Sequence, residues 1–143
     1  MQQTVLVIDP DRAGLREIAM HWQDQPWQTI TAHTLEEAID LLDEKAIDMI
    51  IAVEDLGWMN GYEFLRLTHH RYPRMIRILI INDSPAASRK SFSPYFHAED
   101  HFHIVASKPY SSESMTAIVR EMFGLGESEA YHATDNVQSH FRF

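Results

Sequence analysis

A doubly wound α/β domain on a five-stranded parallel sheet is the fold this sequence predicts, and three observations predict it. Short apolar runs alternate with stretches of helical character five times along the chain. The runs are apolar throughout instead of alternating, as strands covered by helices on both faces must be. Their carboxyl ends carry polar or acidic residues, at Asp9, Glu54–Asp55, Asn82 and Lys108. That edge of an open α/β sheet is where ligands and reactive groups gather.

The elements follow in order. Thr4 to Asp9 is a β-branched run that ends in acid and proline and reads as a buried strand. From Arg12 to Trp22, Leu15, Ile18, Ala19 and Trp22 recur on one helical face. Trp27 to Ala32 is less apolar and suits a strand near an edge. "TLEEAIDLLDEK" begins with Thr34 and Glu37 in capping-box positions, and Leu35, Ala38, Ile39 and Leu42 give its apolar face. "IDMIIAV" is the third strand, ending at Val53. Gly61 to Arg71 is the third helix, closed by Tyr72–Pro73. Ile76 to Ile81 is the fourth strand. Residues 84–101 hold Pro85, Pro94 and the polar "HAEDHFH", so a helix there is short or broken. "FHIVAS" is the fifth strand, and Ser112 to Phe123 is a last helix stopped by Gly124. The pattern gives one domain over residues 1–124 and a C-terminal tail over 125–143, expected to be flexible.

Composition narrows the function classes. The balance of 45% hydrophobic and 23% charged residues is ordinary for a globular protein. A formal net charge of −9 argues against phosphate backbones, so nucleic acid is not an expected partner. The absence of cysteine excludes disulfides, thiol catalysis and cysteine-ligated metal. No apolar run approaches the roughly 18 residues of a membrane span and the N-terminus lacks a signal pattern, so a cytoplasmic location and no membrane partner are expected. His97, His101 and His103 cluster with Glu99 and Asp100, but without a clean ligand spacing they read as a polar surface loop, and no metal site is assigned.

The motifs "VLVIDPDR", "DMIIAV…MNGYEFL" and "SKPY", in this order and at nearly this spacing, resemble the receiver domains of two-component response regulators, which have a flavodoxin-like (βα)5 fold. The resemblance covers about residues 3–124. Within it, "GYEFLRLTHHRYPRMIRILI" is most similar to receivers attached to HD-GYP-type cyclic-dinucleotide phosphodiesterases. The resemblance implies an acidic pair that holds a divalent cation, an aspartate that accepts the phosphoryl group, and a hydroxyl and a lysine that bind its oxygens.

Set against that pattern, the first acid is Asp9, but the second position is Pro10, with Asp11 one residue later. The acceptor position falls on Val53, five residues after Asp48 and eight before Gly61, as an ungapped match requires. Glu54 or Asp55 serves as acceptor only with compensating shifts on both sides. The hydroxyl position is Asn82, and Lys108 before Pro109 alone is regular. Val105 stands where receivers often carry a switching aromatic. The expectation is therefore a degenerate, non-enzymatic receiver that signals through phosphorylation-independent protein contacts, with no cofactor and at most weak Mg²⁺ binding. Two alternatives remain open at this point: a phospho-accepting regulator using Glu54 or Asp55, and a sensor of a metal or small ligand. The partner is expected to be a signalling protein or a second copy of the chain. The contact face is the one receivers build from their fourth helix, fifth strand and fifth helix, here with Phe92, Tyr95, Phe96 and Val105. Trp58, in the loop after the third strand, is a further candidate anchor.

Overall fold

The computed structural model describes residues 2–81 and 111–125, together with the strand backbone of 104–107. Five strands, β1 (Thr4–Ile8), β2 (Gln28–Ala32), β3 (Met49–Val53), β4 (Ile76–Ile81) and β5 (Ile104–Ser107), form one sheet in the order β2-β1-β3-β4-β5. All four pairings are parallel. Among the described residues the helices are α1 (Arg12–His21), α2 (Leu35–Glu44), α3 (Gly61–Arg71) and α4 (Ser112–Met122), the last being the one that the resemblance counts fifth.

Burial follows position in the sheet. Every residue of β1 and β3 is buried, whereas β2 lies at the edge and is mostly half-buried. This is the physical basis of the weaker apolar signal between residues 27 and 32. Trp27 precedes that strand instead of opening it, and its ring is buried in an edge-to-face contact with Trp22 at 5.3 Å. Trp22 donates its indole N–H to Thr116 Oγ1 at 2.7 Å, joining α1 to α4 through a fully buried polar contact.

Helix ends match their local sequence. Thr34 Oγ1 accepts from the Glu37 amide at 3.1 Å, but Glu37 Oε1 accepts from the His33 amide at 2.8 Å, so the reciprocal bond of the capping box falls one residue before the cap. Asn60 Oδ1 accepts from the Glu63 amide at 2.8 Å and caps α3. α4 ends in a Schellman closure, with Gly124 at φ +68° and the Leu125 amide donating to the Arg120 carbonyl at 2.8 Å. On α2 the expected apolar face is only partly internal. Leu35, Ala38 and Leu42 are buried, but Ile39 is 41% exposed, because the helix rotation carries it past the sheet-facing stripe. No helix among the described residues is long and apolar enough to cross a membrane.

Candidate functional site

Strand order fixes where a site can form. The chain leaves β1 for β2 on one side and returns to β3 on the other, so the topological switch point lies between β1 and β3. Ile8 pairs with Ala52, Val53 with Ile80 and Ile81 with Ser107. Asp9 and Val53 are thus neighbours at the carboxyl edge, and the chain continues from the same edge into Asn82 and Lys108. Those two residues, like Phe92, Tyr95 and Phe96, lie outside the described residues. Of Val105 only the strand backbone is described, paired in register with Leu79.

The acidic side of the site is built by a local turn. Asp9 is buried, 2% exposed, and its amide donates to the Ala32 carbonyl at 3.1 Å. Its Oδ1 accepts from the Asp11 amide at 3.0 Å, so the carboxylate closes a turn over the exposed Pro10. The Asp11 carboxylate lies back against the start of α1: a β-carbon placed on Gly14 would stand 2.8 Å from Asp11 Oδ2. One carboxylate is thus engaged in the turn, and the other lies beside the first turn of the helix. A hard divalent cation needs several convergent oxygens. Among the described residues no group of three or more acidic or histidine side chains converges in that way. The side chains that the described residues bring to this edge do not supply the several oxygens that the implied cation needs.

The acceptor position is equally well defined. Val53 is 2% exposed and belongs to the contiguous core. Glu54 continues the ladder, its amide donating to the Ile80 carbonyl at 2.8 Å and its own carbonyl accepting from the Gly61 amide at 2.7 Å. With its backbone held by β4 on one side and α3 on the other, Glu54 cannot slide by one residue into the place of Val53 without breaking both bonds. Asp55 is exposed; its Oδ1 accepts from the Gly57 amide at 3.2 Å, and it bridges to Asn60 across the loop. Gly57 has φ +100°, a conformation that favours glycine.

Trp58 is 67% exposed, as its loop position suggests. Its indole N–H donates to Glu36 Oε2 at 3.2 Å. Glu36 escapes sequence reasoning because it stands on another element and only the fold brings it to the loop. The buried Arg77, whose Nη1 donates to the Met75 carbonyl at 2.7 Å, is likewise hidden inside an apolar strand pattern.

Comparison with known proteins agrees with this architecture. No family model matches the chain. Over 79 residues, 55% of the chain, it is 29% identical to the hydrogenase transcriptional regulatory protein HoxA of Cupriavidus necator; the match covers 16% of that protein, so the chain spans only a small part of its length. The signal receiver domain of an HD domain-containing protein from Pseudomonas fluorescens superposes with a TM-score of 0.73 at 21% identity, covering 87% of this chain and 97% of that one. The response regulator DrrB of Thermotoga maritima gives a TM-score of 0.71 at 22% identity, covering 89% of this chain and 55% of that one. The chain has the receiver-domain fold that its motifs resemble, and the likeness to a receiver from an HD-domain protein agrees with the motif-level similarity.

Proposed function

We propose that this chain is a receiver-like signalling module that works by binding a protein, without taking up phosphate and without enzymatic turnover. The observation that carries this reading is the place of Val53. It stands at the end of β3, buried and in register with Ile80 of β4, where a receiver would present its nucleophilic carboxylate. Pro10 at the second acidic position supports the same reading, since its side chain offers a cation no oxygen. Asn82 offers an amide in place of a hydroxyl. With the switch chemistry gone, the partner face would be held in one state and binding would be constitutive. The sequence between residues 84 and 123, with Phe92, Tyr95 and Phe96, remains our first choice for that face.

Thermal unfolding tests the pocket without a partner. Mg²⁺ at a few millimolar, with beryllofluoride as a phosphoryl mimic, is expected to leave the melting temperature within about 1 °C of its value in buffer. A ligand at a hundred times its dissociation constant would add about 2.7 kcal/mol, an easily seen shift. A clear rise that Asp9→Asn abolishes would restore the alternative of a cation-binding, phospho-accepting or ligand-sensing pocket.

A further inference from the structure

The side of the sheet that carries α2 and α3 holds a second feature. Among the described residues the large exposed hydrophobics are Met20, Ile39, Trp58 and Leu67, and three of the four meet in one groove. Ile39 and Leu42 from α2, Trp58 and Met59 from the loop, and Phe64 and Leu67 from α3 line it. Its volume of about 220 Å³ suits one or two large apolar side chains. Two exposed contacts flank it: the Trp58–Glu36 hydrogen bond at 3.2 Å where the helices begin, and the Asp43–Arg71 ion pair at 3.3 Å where they finish.

Charge says what fits. Glu36, Asp40 and Asp43 stand at i, i+4 and i+7 on α2 and form one ridge beside Ile39. Asp43 is neutralised by Arg71, and Glu36 holds an uncharged indole. Asp40 makes no hydrogen bond or ion pair among the described residues. On α3, Glu63 is already paired with Arg66 at 2.8 Å. The lip is therefore apolar with net negative charge. A second copy of a chain with net charge −9 is repelled there, and the chain's own residues 126–143 carry three acids against one arginine. We propose that the groove between α2 and α3 docks a basic amphipathic helix of a partner protein. One or two apolar anchors would enter beside Trp58, and lysine or arginine on the flank would face Asp40 and Glu36. The proposal rests on the reading that the domain binds a protein, and is separate from the fate of the phosphoryl pocket.

The test is a titration of the full chain with a synthetic amphipathic helical peptide carrying leucine and phenylalanine at i, i+4 and i+7 and lysine on both flanks. The Trp58 indole N–H resonance is the readout. The expected result is a saturable shift, weakened more than tenfold by Leu67→Asp and about three- to tenfold by Asp40→Lys. Leu67 and Asp40 are exposed, so both variants should fold, as an unchanged melting temperature would show. A peptide with its lysines changed to glutamate should not bind. No shift with the basic peptide, or equal binding of the acidic one, overturns the proposal. Two other outcomes also overturn it by naming a different occupant: self-association abolished by Leu67→Asp, or a Trp58 that becomes accessible to acrylamide only after Phe141→Ser and Phe143→Ser. A phosphoryl adduct on the protein would refute the lost pocket and leave the groove untouched.

Discussion

Gly61→Ala is expected to cost about 3 kcal/mol of folding stability, at the upper end of what one added methyl usually does. The reason is contact, not backbone freedom, since Gly61 is not among the residues with positive φ. A β-carbon at this position would stand 2.1 Å from the Val53 carbonyl oxygen, 3.0 Å from its carbon and 3.1 Å from Leu79 Cδ1. Two of those atoms are backbone in the middle of the sheet, and they cannot swing aside as a side chain would. Relief would require α3 to lift from the end of β3, stretching the 2.7 Å bond from the Gly61 amide to the Glu54 carbonyl. Urea unfolding of the variant against the parent measures this directly, and a loss below about 1 kcal/mol would mean that α3 is docked less tightly than described.

Val53→Asp is expected to cost roughly 2–4 kcal/mol and to restore nothing. The carboxylate would replace a side chain only 2% exposed, so it must be desolvated, at a cost of about 1–3 kcal/mol without full compensation, and the apolar contacts of the valine are lost as well. The variant should still resist labelling by acetyl phosphate, because Pro10 supplies no side-chain oxygen and Asp11 lies beside the first turn of α1. Denaturant unfolding and intact mass read the two halves of this prediction separately. Rapid labelling of the single variant would show that Asp9, Asp11 and Lys108 already form a competent pocket.

The parts of this protein that sequence reveals are those decided locally. Thr34, Asn60 and Ser111 cap their helices as their types and positions suggest, each accepting from an amide three residues on. Gly124 stops α4 as expected, because an αL closure strongly favours glycine. The edge position of β2 was legible in its weaker apolar pattern. What sequence hides is set by tertiary contact. The reciprocal bond of Glu37 moves to His33, Ile39 rotates out of the core, and Gly61 turns out to matter through its distance from Val53. In the site, the order of Asp9, Pro10 and Val53 along the chain was enough to raise the loss of chemistry. That Asp9 binds the Asp11 amide while Asp11 lies beside Gly14 depended on a turn and a helix start that spacing alone does not encode.

The measurement that bears most directly on the central claim is the intact mass of the protein after incubation with acetyl phosphate and Mg²⁺, at neutral pH and quenched without acid hydrolysis. An unmodified mass is expected at every time point. A stoichiometric phosphoryl adduct, mapped to Glu54 or Asp55, would contradict it and make the chain a working receiver with a displaced acceptor.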